Sequence, residues 1–546
     1  MLAERSGNVA LMATCRDPEV IIVGAGPTGL FLAGELALAG VPCRVLERRE
    51  HRTRESRALG IHARTLEAFD MRGLAGAFLA QGNPIRRVRV SLGQSLVDLT
   101  KLDTRYGQLH ILPQSTTERL LEEQCSALGV GVERGVCCRG VTEQDDGVAL
   151  QLTDGRTTWE EHAPWVVGCD GSSSAVRVSA GIPFLGDVYP YTIIVADVRL
   201  RRPPSDQLMI HVGGHGLVVS TAFGDGWYRM GVVDRTKPWS DEPVTLEEVR
   251  ATLTTLFGYD LGPSEPLWTS RFRIQERQAD TYRSGRVLLA GDAAHVHSPL
   301  GGQGLNLGIQ DALNLGWKLA AVVRGDAGDA LLDTYVAERR RISNGVIEAT
   351  DIATRMMTSP RRGPRVMRRI AVPRALGTRR THQIAAGYLS GIAVSYSNTR
   401  YDRNDALAGN RIPDAALECG DGSRTTLFAL LRDRSFVLVD PDGSAAGILA
   451  PWAGRVVHVV GRFTNRPTLA ACRWLLIRPD GYAAWSCERT ATPSAQALHD
   501  ALRHWVGRGD GEPPATSSRA TDAAGNGSVA HQDEISSPVD IDATLR

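Results

Sequence analysis

The sequence predicts an α/β fold class: a parallel sheet interleaved with helices, a mostly antiparallel sheet set into it, and a smaller C-terminal α/β unit. Three observations predict this. The apolar run VIIV at Val20–Val23 leads into the glycine loop GAGPTG at 24–29, then a helical stretch, a second strand and Glu47. Two later apolar runs, 166–168 and 287–290, each end where an acid meets a glycine, at Asp170-Gly171 and Gly291-Asp292. Between them, from 184 to 280, short alternating segments are separated by glycines, which is the texture of an antiparallel sheet.

Taken in order, residues 1–18 read as a flexible arm. They lack a basic stretch followed by a clean apolar core, so they do not read as a signal peptide. Val20–Val23 suits a strand buried on both faces, 30–39 a helix, and 43–46 a second strand. Ser115 with Glu118 reads as a capping box opening a helix through Leu128. Residues 141–153 and 157–167 read as strands. Within the antiparallel region the candidate strands are Leu208–Val212, 216–221 and 227–233. Residues 287–290 return to the parallel sheet, and Gly304–Val323 is a helix. Helical segments continue past Glu338 through an arginine-rich stretch at 361–380, read as a solvated face. Strands at 436–439, 456–460 and 474–477 and a helix at 494–506 build the C-terminal unit. The tail from 508 to 546 has no aromatic residue and is expected to be disordered. The implied division is 19–183 and 281–409 for the split first domain, with part of the substrate sheet near 85–113. It continues with 184–280 for the inserted sheet and 410–507 for the last domain.

Composition narrows the function. Of 546 residues, 62 are Lys or Arg and 61 Asp or Glu, a net charge of +1 that gives no reason to invoke nucleic acid or an anionic membrane. No apolar run reaches the roughly 18 residues a membrane span needs. The nine cysteines form no CxxC pair and read as reduced thiols of a cytoplasmic protein.

The motifs carry the chemistry. Gly24, Gly26 and Gly29, with Pro27 and Thr28 between them, give the tight turn and close backbone approach that a pyrophosphate needs at a helix N-terminus. Glu47, 18 residues after Gly29, can grip ribose hydroxyls, with Arg48 beside it. A carboxylate there argues against a 2′-phosphate, so the loop fits FAD or NAD better than NADP. Asp170 and Asp292 decide for FAD, since acids emerging from two buried strands suit a ribityl chain. Pro299, Gly301, Gly302, Gly304, Leu305 and Asn306 then lead into a helix whose N–H groups can face an anionic flavin edge. His295 and His297 lack a third metal ligand and read as flavin-side structure. Trp227, Tyr228 and Phe272 either line an aromatic pocket or pack the core.

In these residues the chain resembles the class A flavoprotein monooxygenases of the para-hydroxybenzoate hydroxylase fold. It matches their GxGxxG, their DG (Asp170-Gly171) and their GD (Gly291-Asp292) in order. It also matches the arginine segment at 57–61 and the glutamine segment at 112–114. The resemblance implies an FAD-binding domain of that type, a mostly antiparallel substrate domain and a thioredoxin-like C-terminal domain. It implies Glu47 at the ribose, Arg57 on the pyrophosphate side, Gln114 and Asp292 at the ribityl region, and Asp170 serving FAD and NAD(P)H. A closer similarity, through LIRPDGYAAW at 476–485, is to aromatic polyketide hydroxylases of the angucycline and anthracycline type. Ser486 departs from the arginine many of these carry.

The expectation is therefore an FAD-dependent enzyme that consumes NADPH (or NADH) and O2 and hydroxylates an aromatic polyketide through a flavin C4a-hydroperoxide. No catalytic base is legible, and Pro299, Gly301 and Gly302 are expected to position the flavin. Baeyer–Villiger oxygenation of a polyketide ketone is the alternative, and a flavin redox sensor without turnover a third reading. A monomer or homodimer is expected, with no nucleic-acid or membrane partner.

Overall fold

The computed structural model describes residues 18–511, apart from 54–55, 90–95, 213–215, 238, 360, 398–404 and 491–493. The expected arm and the tail from 512 onward lie outside the described residues.

The first sheet has six strands, in the spatial order Arg283–Ser284, Val287–Leu289, Trp165–Gly168, Val20–Val23, Cys43–Glu47 and Val132–Arg134. All neighbours pair parallel except the first two. Val20, Ile21 and Ile22 have no exposed surface, as expected of a strand covered on both faces. The covering helices are Pro27–Leu38, Gln114–Ala127 and Gly304–Val323. The first and last of these pack closely, with Gly316 leaving room for Glu35.

Three expectations need correction. The run at 157–167 divides into Thr158–Ala163 and Trp165–Gly168, which lie in different sheets. The run at 141–153 is not one strand. Cys137–Glu143 turns at residues 144–147 into Val148–Thr153, where the Gln144 amide donates to the Gly147 carbonyl at 2.8 Å, and Thr158–Ala163 completes a three-stranded sheet. Gln-Asp-Asp-Gly is turn chemistry that outweighed the flanking β-formers. The Ser115–Glu118 capping box does not form, because the helix starts at Gln114 with Pro113 as its cap. Glu118 instead accepts from the Gln114 side chain at 2.8 Å.

The second large sheet has eight strands, mostly antiparallel. Its spine is Phe184–Leu200 paired with Pro263–Ala279 on one side and Trp227–Asp234 on the other. Arg87–Arg89 and Leu96–Asp98 join its far edge. Alternation sorts its side chains into two faces. Ile194, Ala196, Val198, Met230 and Val232 pack on the helix Leu246–Phe257. That helix was not expected, although its Thr245-x-x-Glu248 start is in the sequence and Thr245 caps Glu248 N. Ile193, Val195, Val233, Phe272 and Ile274 point the other way, toward Leu300 and Met357.

The C-terminal sheet follows the order Arg424–Thr426, Ala416–Cys419, Val456–Phe463, Phe436–Asp440, Cys472–Ile477 and Ala483–Glu488. Its central pair is parallel and the rest antiparallel, the thioredoxin-like arrangement. Its last helix, Ala495–Trp505, is capped by Ser494. The eight described cysteines are all free thiols. Among the described residues no helix is long and apolar enough to cross a membrane.

Candidate active site

The three motifs converge because they end adjacent parallel strands. Glu47, Gly24, Asp170 and Gly291-Asp292 follow four neighbouring strands of the first sheet, all at its carboxyl edge. Backbone hydrogen bonds lace these ends together: Gly24 N to Leu46 O at 2.7 Å, Cys169 N to Val23 O at 2.8 Å, and Ala290 N to Gly168 O at 3.0 Å. Three inter-strand spacings separate Glu47 from Asp292, roughly 14 Å along the edge. This is where open α/β sheets bind extended ligands.

At one end, Glu47 is buried and accepts from Ala25 N and Arg49 N, each at 3.0 Å. Arg48 stands exposed just past it. Gly24 has φ +107, and a Cβ there would sit 2.4 Å from the Cys169 carbonyl oxygen, so only glycine fits. Gly26 caps the helix without a side-chain bond, and Pro27 occupies the first turn. A Cβ on Gly26 would meet nothing within 4 Å. Thr28 does a different job. Its hydroxyl oxygen would lie 2.7 Å from a Cβ on Gly291 and 2.2 Å from one on Gly308, so it is wedged between the GD loop and the helix after it.

In the middle, Asp170 caps the helix Ala175–Ser179, accepting from Ala175 N at 2.7 Å and Val176 N at 3.2 Å through Oδ2. Its Oδ1 is buried with no partner among the described residues. Burial pushes this carboxyl above the ordinary range despite those donors. Arg177 bridges the DG and GD motifs, donating to Ser172 O and Ala293 O at 2.9 Å each, and lies 3.8 Å over the Phe184 ring.

At the other end, Asp292 combines accessible surface with a position deep in the fold, because that surface opens into the cleft. The surrounding protein pushes its carboxyl up, against the pull of His295 and Arg57. A Cβ on Gly304 would lie 3.7 Å from His297 Nε2 and 3.8 Å from Asp292 Oδ1. His297 uses Nδ1 to donate to Ser298 O at 2.7 Å, which leaves Nε2 a buried acceptor without a partner among the described residues. Burial holds the His297 ring neutral, with its pKa lowered to about 4. Two acceptors thus face the same small space.

The glycine-rich loop is stapled from the other side. Asn306 accepts from His62 N at 2.8 Å and donates to Gly60 O and Gly302 O at 2.9 Å each. His62 Nε2 donates to Gly301 O at 3.1 Å, and burial likewise lowers its pKa to about 4. Nothing in the sequence singles out His62 except its place after the 57–61 segment. Leu305 packs on the main core, while Pro299, Gly301 and Gly302 are exposed at the cleft. Gln114 Oε1 accepts from Ala58 N at 3.1 Å, so its amide fastens the arginine segment. That segment is also strapped to the eight-stranded sheet. Arg229 forms a buried fork with Asp197, at 2.8 and 2.7 Å, and donates to the Arg57 and Ala58 carbonyls at 3.3 Å each. Trp268 Nε1 donates to the same Asp197 at 2.8 Å. The Arg57 side chain reaches over Phe272 at 5.9 Å, and its charge acts on Asp292. Arg57 therefore stands where the GD loop meets the antiparallel sheet. Of the three aromatic candidates, Phe272 faces this cleft, Tyr228 packs on the far face, and Trp227 lies under Arg199.

Comparison with known proteins accounts for this arrangement. An FAD binding domain profile matches residues 17–350, and an aromatic-ring hydroxylase C-terminal profile matches 405–509. The chain belongs to the FAD-binding aromatic-ring hydroxylases. It is 39% identical over 515 residues to an anhydrotetracycline monooxygenase of Streptomyces rimosus, covering 91% of this chain and 99% of that one. It is 36% identical over 499 residues to a rifampicin monooxygenase of Rhodococcus hoagii, covering 90% and 98%. The crystal structure of CabE, an aromatic hydroxylase from angucycline biosynthesis, superposes with a TM-score of 0.81 at 36% identity, over 90% of this chain and 100% of that one.

This hydroxylase is an FAD-dependent aromatic monooxygenase, and its residues fit the cofactor. The open space over Gly26 admits a pyrophosphate at the N–H groups of an uncapped helix. The unpartnered acceptors Asp170 Oδ1 and His297 Nε2, with Asp292, match a chain of hydroxyl donors. Among the described residues no group of three metal-ligating side chains occurs, so His295 and His297 form no metal centre there.

Proposed function

We propose that this hydroxylase oxygenates an electron-rich ring of an angucyclinone- or anthracyclinone-like polyketide, with NAD(P)H as reductant and O2 as oxygen source. The observation that carries this is the cleft-side face of the eight-stranded sheet. Ile193, Val195, Val233 and Ile274 make it apolar and are nearly buried beneath Met357, with half-buried Phe272 and Leu300 of the glycine-rich loop at its margin, where a ring would enter. A flat fused-ring substrate buries its faces on such a surface, with its edge toward Asp292 and Arg57. Relatives named for tetracycline and angucycline oxidations support the same substrate class.

FAD, when bound, supplies transfer of two electrons from NAD(P)H and activation of O2. The chain's own residues do the rest. Glu47 and the uncapped helix at Gly26 would hold the nucleotide end, and Asp292 with His297 the ribityl end. His62 and Asn306 fix the loop that bounds the reacting space. The apolar sheet excludes water from it. Arg57 contributes fixed positive charge where negative charge gathers.

The test is NADPH and NADH oxidation by purified enzyme with a panel of angucyclinones and anthracyclinones, followed by NMR of the product. Substrate-stimulated oxidation matched by a new phenolic or quinol carbon supports the proposal. A ring-expanded lactone carbonyl, or oxidation indifferent to every substrate, refutes it.

A further inference from the structure

The C-terminal domain has no CxxC motif, yet it is tied by buried polar contacts to the loop that carries Asp292. The tie begins at Asp311, in the helix Gly304–Val323, whose Oδ2 accepts from Gly291 N at 3.0 Å and His295 Nε2 at 2.6 Å. Its Oδ1 accepts from Arg339 Nε at 2.6 Å. Burial opposes this charge, but His295 and Arg339 outweigh it and hold the Asp311 carboxyl below its ordinary range. Arg339 has no exposed surface and donates onward to Tyr396 Oη at 3.1 Å. The Tyr396 ring packs on Tyr482 of the C-terminal domain, with centroids 4.2 Å apart. Arg478 of that domain lies 5.2 Å over Tyr396 and forks onto Glu338, the residue before Arg339, at 2.6 and 2.9 Å. Both sides of Arg339 are therefore set by the C-terminal domain, at Tyr396 and at Glu338. The LIRPDGY segment places both groups.

We propose that the C-terminal domain acts as a positioning element for the GD loop, with Tyr396 and Arg339 as the positioning residues that pass its docking on to Gly291 and Asp292. A charged, dry hydrogen-bond chain has few alternative arrangements, because any break leaves a buried donor unpaired. If Arg339 loses Tyr396, the guanidinium seeks another acceptor, Asp311 turns with it, and the Gly291 amide shifts. This inference rests on FAD binding and is independent of which aromatic substrate is used.

The test compares two temperatures in the flavin-loaded enzyme: flavin release, read by flavin fluorescence, and unfolding, read by tryptophan fluorescence. Tyr396→Phe should release flavin well before the chain unfolds and raise the FAD Kd roughly ten-fold, the scale of one weakened charge-assisted bond. Tyr482→Phe should change neither, because the Tyr482 hydroxyl is buried without a partner among the described residues while its ring is what packs. Trp452→Phe, in the C-terminal core, should lower both temperatures together, because Trp452 bonds Gly507 O at 2.8 Å and belongs to an apolar cluster that holds neither Tyr396 nor Tyr482. Should Tyr396→Phe fail to fold, Tyr482→Leu carries the same expectation through loss of the ring. If Tyr396→Phe or Tyr482→Leu lowers the two temperatures in parallel, as Trp452→Phe does, or leaves flavin release unchanged, the proposal is overturned. A wild-type enzyme that takes up no FAD would instead remove the premise.

Discussion

Two glycines of the same loop, Gly26 and Gly29, should respond to the same substitution in opposite ways. Gly26 has φ −74 and ψ 177, a conformation alanine adopts freely, and its added Cβ meets nothing within 4 Å. In the chain alone, Gly26→Ala should be neutral or stabilise by about 0.4–1 kcal/mol through the unfolded state. The same methyl points into the open space proposed for the pyrophosphate. Overpacking by one methyl costs about 1–3 kcal/mol, which is roughly a 5- to 150-fold rise in FAD Kd. At Gly29 the added Cβ falls 2.0 Å from the Gly24 carbonyl oxygen, a backbone atom that cannot step aside. Gly29→Ala should therefore destabilise the apoprotein itself. The assay is urea unfolding of apoprotein beside fluorescence titration with FAD. A Gly26→Ala protein that binds FAD like wild type, or one whose apoprotein is as damaged as Gly29→Ala, would refute the assignment of that space to the cofactor.

Three further outcomes follow from the site. Asp292→Ala should strip FAD or slow its reduction by NADPH, read from the visible spectrum and stopped-flow bleaching; full occupancy with unchanged reduction would sink the role given to Asp292. Arg229→Leu leaves Asp197 buried with, among the described residues, only the Trp268 side chain to bond it, so it should cost about 3–5 kcal/mol in urea unfolding, and Arg229→Leu with Asp197→Leu should recover most of that loss. No recovery in the double variant would mean the pair is not the strap described. His62, neutral in the fold to about pH 4 against an ordinary value of 6.5, contributes stability present above pH 6.5 and lost as pH falls through 4. The loss is about 3 kcal/mol at its fullest. His62→Asn should flatten the stability profile between those limits, and an unaltered profile would contradict the burial of the ring.

Most of the architecture was legible because buried parallel strands announce themselves as short apolar runs and glycines punctuate them. The GAGPTG loop, Glu47, Asp170 and Asp292 were readable one by one, and their strand order then puts them on a single edge. What was not legible lies in long-range side-chain contacts. Asn306 and Gln114 could be named, but not that their amides are spent on Gly60, Gly302 and Ala58. Asp311, Arg229 and Arg339 sit on helices or strands and His62 just ahead of a helix, all with no local signature, and only tertiary pairing shows their work. The false capping box at Ser115 has a local cause: Pro113 caps the helix two residues earlier and turns the expected cap into an interior position.

The alternation over residues 193–198 and along Trp227–Asp234 has a consequence for how such enzymes diversify. Residues 193, 195 and 233 pack toward Leu300 and Met357, the side where the proposal puts the substrate, while 194, 196 and 232 anchor the sheet to the helix Leu246–Phe257 on the other. Mutation can resculpt one set and leave the other alone. A lineage could thus drift from one fused-ring scaffold to another by single steps, each tolerated by the fold, whereas inserting one residue in either strand would exchange the two sets and end both jobs at once.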